Sequence, residues 1–313
     1  MLLFLLKRLA IGLLLALTVM TAVFFLLRVY GPDPARMVLG NTATPTQLRQ
    51  ESHLLGTDGS LMGQYLSWLS SAAQGNLGTS WSTSQQVGQT ISSGLPITLS
   101  ITLSALTVSL VVGLGIGVFA AVRPGWIDRV LQIVVIGAFA LPGFWLAMVL
   151  VGTFAVNLNW FPATGYTALA DSPVGWLRGI TLPVLSLSLG IVASIAQQFR
   201  NSVIEVNRQD FVRTLRSRGL SPARVLYKHV LRNAAGPALT VASLQFVGLL
   251  SGAVIVEQVF DLHGLGTAVQ SAAATGDVPV VMGVVAVTVT VVVLVNLAVD
   301  VLLAWLNPKV RVR

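Results

Sequence analysis

The stretch LPITLSITLSALTVSLVVGLGIGVFAAV, Leu95 to Val122, runs for 28 residues without a charged side chain and stops at Arg123. As a helix it covers about 42 Å, more than the roughly 30 Å hydrocarbon core of a bilayer. Its reading as a membrane crossing decides the fold, because the rest of the chain repeats it. Uncharged apolar runs also occupy Leu9 to Leu27, Val130 to Val156, Gly179 to Phe199, Asn233 to Val256 and Val278 to Val299. The 313 residues are 54% hydrophobic and only 10% charged, against about 25% charged in a soluble domain. The pattern predicts an all-α polytopic membrane protein with six transmembrane helices.

The first run has a competing reading as a cleaved signal peptide, since Lys7 and Arg8 precede it. Its length exceeds the roughly 7 to 15 apolar residues of such a core, and RVYGPDPA offers no clear small-x-small cleavage site, so a retained helix is expected. Gly59 to Gly94 is also uncharged but is rich in Ser, Thr, Gln and Gly. It reads as an ordered loop, with a short helix around Leu61 to Ser70. The expected division is an N-terminal transmembrane helix over 1–30, an ordered extracytoplasmic segment over 31–94, and a five-helix core over 95–313 with a polar loop at about 200–236.

Orientation follows from the bases. With a cytoplasmic N-terminus, the inner segments hold Lys7, Arg8, Arg123, Arg129, eight bases from Arg200 to Arg232, and Lys309, Arg311 and Arg313. Lys and Arg collect on the cytoplasmic side of membrane proteins, so both termini are expected inside. The net charge of +8 is then a topology signal. Nucleic-acid binding is disfavoured, because the basic loop lacks interleaved aromatics and lies against a membrane. With no Cys, the chain has no disulfide framework, no thiolate metal site and no Cys nucleophile. It has no GxxxxGK[ST] loop to cradle phosphates and no HExxH, and its three His residues, His53, His229 and His263, fall in different loops. No cofactor and no catalytic residue are expected.

The basic loop contains DFVRTLRSRGLSPARVLYKHVLRN, Asp210 to Asn233. Asn207 with Asp210 forms a capping-box pattern, and Val206 can staple to Phe211. Gly219 sits where a left-handed helix end is wanted, after Arg213, Arg216 and Arg218, which suit the negative end of the helix dipole. Ser221 and Pro222 then start a second helix, with Leu220 facing Val225. Helix, tight turn, helix is expected, with Phe211 and Leu215 forming an exposed apolar ridge inside a charged rim. Such a ridge suits a docked protein. A solvated basic loop and a helix lying on anionic lipid are the other readings.

These residues resemble a known family. RTLRSRGLS at Arg213 to Ser221 and HVLRNA at His229 to Ala234 are similar to the cytoplasmic EAA loop of binding-protein-dependent ABC importers, in the form found in dipeptide and oligopeptide permeases. Leu215 stands where that pattern has Ala. LRVYGPDPA, LGTSWSTSQQV, LPGFWLAMVLVGTFAVNLNWFPATGY, VEQVFDLHGLGTAVQSAAATGDVPVVMG and the ending NLAVDVLLAWLNPKVR resemble the same family in the same order. Leu303 and Asn307 depart from its common Tyr and Asp.

The resemblance implies a type I ABC importer permease fold in a prokaryotic plasma membrane and a transport subunit that is no enzyme. Its implied partners are a second permease, two ATPase subunits or a fused pair that bind ATP and Mg, an extracytoplasmic binding protein, a peptide substrate and membrane lipid. Nickel complexes, glutathione or another small solute are alternative cargoes, and a secondary transporter or channel is the alternative of a different class. The implied docking residues are Asp210, Phe211, Arg213, Leu215, Arg216, Arg218 and Gly219. Gln198, Gln245, Glu257 and Asn296 are candidates for the pathway, with interhelical hydrogen bonding as the competing role. Asp300 is expected to pair with an inner-loop Arg, and the glycines between Val112 and Ala121 to allow close helix approach.

Overall fold

The computed structural model describes residues 2–123 and 125–306. Asn307, Lys309, Arg311 and Arg313 lie outside the described residues. The described chain is almost wholly helical: α1 (Leu2–Tyr30), α2 (Pro34–Leu39), α3 (Pro45–Leu54), α4 (Leu61–Ala73), α5 (Val87–Val122), α6 (Trp126–Ala140), α7 (Gly143–Leu150, continued by a π-helical turn Val151–Asn157), α8 (Pro173–Asn207), α9 (Asp210–Ser217), α10 (Pro222–Val225, continued by a π-helical turn Leu226–Val230), α11 (Leu231–Val259), α12 (Leu265–Thr275) and α13 (Val278–Leu306).

Among the described residues, five helical runs are long and apolar enough to cross a membrane, and a sixth crossing is counted if the bent pair α6 and α7 forms one span. The third run therefore departs from the continuous helix expected over Val130 to Val156. It breaks at Leu141 and Pro142 with a bend of 93°. Both residues are extended, Leu141 at φ −86°, ψ 118° and Pro142 at φ −63°, ψ 132°. Proline has no N–H to give to the helix and pushes its predecessor out of the α region.

Helices also overrun the charge-free stretches. α8 begins at Pro173, where Ser172 accepts from the Gly175 N–H, a capped start with proline in the first turn. The stretch Gly59 to Gly94, expected as a loop with a short helix around Leu61 to Ser70, holds that helix as α4 and, beyond expectation, the first turns of α5. α2 and α3 were not expected, although Asp33 caps the first before Pro34, and Thr44 with Gln47 forms a capping box on the second.

The chain divides into two compact units, one comprising Met1–Leu5, Leu99–Leu262 and Leu294–Arg313, the other Leu6–Thr98 and His263–Val293. In the first, α6, α7 and α11 all pack against α8. Asp128 of α6 takes a two-pronged ion pair from Arg200 of α8, with Nε to Oδ1 at 2.6 Å and Nη2 to Oδ2 at 2.5 Å. That fork is the strong form of a carboxylate pair. α5 lies close on α8 because glycines face it. A β-carbon at Gly113 would stand 2.9 Å from Ile195 Cγ2, and one at Gly117 would stand 2.8 Å from the Ala196 carbonyl, while Gly115 faces open space.

In the second unit, Met20, Phe24, Tyr65, Val278 and Met282 form one apolar cluster, and Val87, Ile91, Leu265, Ala272, Val280, Val281 and Val284 form another. Asp277, 2% exposed, binds the segment before α5 to the start of α13. Its carboxylate accepts from Ser80 Oγ at 2.5 Å, Ser82 Oγ at 2.8 Å and the backbone N–H groups of Trp81 and Ser82 at 3.2 Å each. A buried carboxylate costs several kcal/mol unless its oxygens are satisfied, and these donors meet that condition.

The glycine contacts give two substitutions of opposite sign. Gly117→Ala should destabilise the purified chain by about 1–3 kcal/mol through overpacking against the Ala196 carbonyl. Gly115→Ala should stabilise it by about 0.5–1 kcal/mol through reduced backbone freedom in the unfolded state. Thermal unfolding of both variants in one detergent checks this, and equal midpoints would contradict the close approach.

Candidate functional site

The basic loop lies wholly within the first unit and is built on an apolar base. Phe199, Val203 and Val206 from α8, Val212 from α9, Val225 and Val230 from the α10 run, and Ala234 and Ala238 from α11 form one buried cluster. Leu215, Leu220 and Leu226 pack against it. Val212 is fully buried, whereas Phe211 is 37% exposed. This corrects the expected ridge: Leu215 faces inward with Val212, three residues before it, and Phe211 stands at the edge. The inward pair at i, i+3 was legible as an alternative stripe, and the cluster on α8 and α11 selects it.

The start of α9 also differs from expectation. α8 continues through Asn207, and Gln209 takes the N-cap position with no side-chain cap bond. A cap contributes about 1 kcal/mol, and burial of Val203 and Val206 on the last turns of α8 outweighs it. Asn207 Oδ1 instead accepts from Arg216 Nη2 at 2.7 Å. Asp210 lies in the first turn of α9 and pairs with Arg213 at 3.3 Å, both highly exposed. Arg218 is exposed and closes the helix.

Gly219 has φ +79°, the left-handed conformation expected of it. Its N–H donates to the Arg216 carbonyl at 2.9 Å, and that of Leu220 to the Leu215 carbonyl at 3.3 Å. Those bonds satisfy the last carbonyls of α9. Ser221 accepts from the Arg224 N–H with Pro222 at the first position, also as expected. The second helix is not a separate short element, however. It runs through a π-helical turn into α11, giving an unbroken helical stretch from Pro222 to Val259. α9 is thus fastened to the root of one long helix.

The four pathway candidates separate. Gln245 on α11 lines a largely apolar cavity of about 290 Å³ bounded also by Leu141, Phe144, Ser186, Gly190 and Gly252. Asn296 of α13 accepts from Ser243 Oγ of α11 at 2.7 Å. Gln198 donates weakly to Ser202 Oγ at 3.4 Å and does not line the cavity. Glu257 is fully buried near the end of α11, next to Val256 of the cavity wall. The broken span is what brings Leu141 and Phe144 to this cavity, and only Pro142 signalled it. Among the described residues no group of His, Cys, Asp and Glu could hold a metal ion.

Comparison with known proteins gives a consistent result. Residues 113–312 match the family described as binding-protein-dependent transport system inner membrane component. Residues 1–102 match the family of its N-terminal region. The chain is 37% identical over 98% of both lengths to a Brucella abortus protein whose name makes it a permease of a peptide transport system. It is 35% identical to the di/tripeptide transport system permease protein DppB of Pseudomonas aeruginosa over 92% of each chain. It is also 35% identical to the glutathione transport system permease protein GsiC of Escherichia coli over 99% of each. A chain of the MetNI methionine ABC transporter, solved in inward-facing conformations, shares the fold at a TM-score of 0.54 and 21% identity, covering 69% of this chain and 96% of that one.

The loop geometry makes its own prediction. Val212→Ala should loosen α9 from its base at a cost of about 2 kcal/mol, whereas Arg213→Ala, which removes an exposed pair, should cost less than about 0.5 kcal/mol. Amide hydrogen exchange across residues 210–220 should rise in the first variant and stay at the wild-type level in the second. Equal exchange in both would show that Val212 is no anchor.

Proposed function

The chain belongs to the family of binding-protein-dependent transport system inner membrane components, a multi-pass membrane subunit of an ABC importer, and from that premise we propose that it pairs with a second permease to form the translocation pathway for short peptides. The observation that carries the cargo is the end-to-end match to relatives named for peptide and di/tripeptide transport. Glutathione, named for another relative, is itself a tripeptide, so the chemistry of the cargo is shared.

In this reading α9 is the contact for a cytoplasmic ATPase. Asp210, Phe211, Arg213, Arg216 and Arg218 form its exposed surface, and Val212 and Leu215 hold it to α8 and α11. Closure of two ATPase subunits around ATP and Mg then moves α9, and the continuous run from Pro222 to Val259 carries that motion into the membrane. The two permeases alternate between inward-open and outward-open packings, because a path open to both sides would leak. Both termini and the basic loop face the cytoplasm, and the segment 31–94 faces the binding protein, in keeping with the distribution of bases. Gln245, which lines the cavity beside the break with Ser186, is the pathway candidate favoured by its position.

Two measurements test this. Gly219→Val places a β-branched residue at φ +79°, a strain of about 1–2 kcal/mol, and should lower ATPase co-purification about five- to thirtyfold while leaving membrane levels unchanged. Phe211→Ala should weaken it by lost apolar contact, and full uptake with full ATPase retention in both variants would leave the loop a solvated segment. Single cysteines at Ser60 and Ser217 should react with an impermeant thiol reagent in intact cells only at Ser60; equal labelling would contradict the orientation.

A further inference from the structure

The second unit contains a cavity of about 540 Å³ that the docking loop and the pathway do not use. Arg28, Glu51, Gln64, Trp68, Trp81 and Met282 are among its walls. Arg28 stands at the end of α1 with its guanidinium carbon 6.0 Å from the centre of the Trp81 ring. Its one hydrogen bond, Nη2 to the Thr57 carbonyl, is long at 3.5 Å. Among the described residues, the buried side-chain atoms without a hydrogen-bond partner are Arg28 Nε, Trp68 Nε1 and Gln197 Oε1. Arg28 and Trp68, the residues that carry two of these three atoms, line this one cavity, and the two nitrogens themselves are covered from it. Glu51, half-buried on α3, lines it as well, and no ion pair joins it to Arg28 among the described residues.

These groups do not complete one another. An unmet buried donor is costly, and a guanidinium near a carboxylate ordinarily closes into a pair. Here the two charges hold separate places around one space walled by two indoles. Of the other nearby acids, Asp33 caps α2 through the Ala35 N–H at 3.1 Å and is the carboxylate whose charge acts on Arg28, Asp58 lines a neighbouring pocket with Arg28 and Asp33, and Asp277 accepts from Ser80, Trp81 and Ser82. Among the residues lining the cavity, Arg28 is the one cation and Glu51 the one anion, and each is held apart from the other.

We infer that this cavity binds a small zwitterion, its anionic oxygens toward Arg28, its ammonium toward Glu51 and its apolar part along Trp68 and Trp81. A short peptide with free termini has that chemistry and, resting on the cargo proposed above, would meet this chain here on the delivery side before entering the pathway. The headgroup of phosphatidylethanolamine carries the same two charges and is the other source. Phosphatidylcholine lacks the N–H donors that Glu51 requires.

The test is calorimetric titration of the full-length chain in phosphatidylcholine nanodiscs with alanyl-phenylalanine, its N-acetyl form and its C-terminal amide. Each cap should weaken binding about tenfold or more. Arg28→Gln should abolish discrimination against the amide, Glu51→Gln discrimination against the N-acetyl form, and Arg36→Gln, outside the cavity, should change neither. Equal binding of capped and free peptide by the wild-type chain, or no binding of the free peptide, would overturn the inference without recourse to any variant. In nanodiscs containing phosphatidylethanolamine, unchanged affinity identifies the peptide as the occupant. A loss seen in wild type and absent from Glu51→Gln assigns the same groups to the lipid headgroup. Peptide uptake by the assembled importer without binding at this cavity sinks the cavity alone, and binding here without peptide uptake sinks the cargo reading alone.

Discussion

A hydrocarbon layer offers no partner for a backbone N–H or C=O, so every segment crossing it must satisfy those groups within itself. The near-total helicity of the described chain follows from that constraint. So does the placement of its main irregularity. At Leu141 and Pro142 the helical ladder is interrupted, and Leu141 and Gly143 both line the cavity shared with α8 and α11. Interrupted backbone within hydrocarbon is tolerated where it faces protein or a cavity, and the 93° bend borders one. The break and the cavity are thus one feature, and Gln245 opposite them supplies a polar group to a largely apolar space.

The basic loop meets a different requirement, which is to carry charge while holding a shape. Its charges alone repel and would spread a flexible segment. Val212 and Leu215 prevent that by burying against residues from α8 and α11, and Gly219 turns the chain so that Ser221 can start the next helix without a gap. The cluster under α9 is therefore the element on which a mechanical role rests. A short helix pinned at its base to the root of a longer one transmits displacement, whereas a tethered one would absorb it.

The second unit shows the opposite balance of satisfied and unsatisfied groups. Asp277 accepts from five donors, the Val280 N–H included, and locks two distant segments together. Arg28, by contrast, lines a cavity with Trp68 and Glu51 and holds one long bond to the Thr57 carbonyl.

The sequence by itself determined the membrane class, the approximate positions of the crossings and the local punctuation at Gly219, Ser221 and Pro222, because charge-free length and turn chemistry are properties of consecutive residues. Helix ends were less legible: α5 and α8 extend into polar segments, since Ser, Thr and Gln do not stop a helix that is packed on one side. Only the tertiary structure decided which face of α9 is buried, since Phe211 with Leu215 and Val212 with Leu215 are equally good stripes until α8 and α11 provide a surface. Only it decided that Asn207 serves Arg216 instead of a helix start, that Asn296 belongs to Ser243, and that Arg28 and Glu51 share a cavity. Those outcomes depend on residues far apart in the chain, and burial energy is settled where distant segments meet.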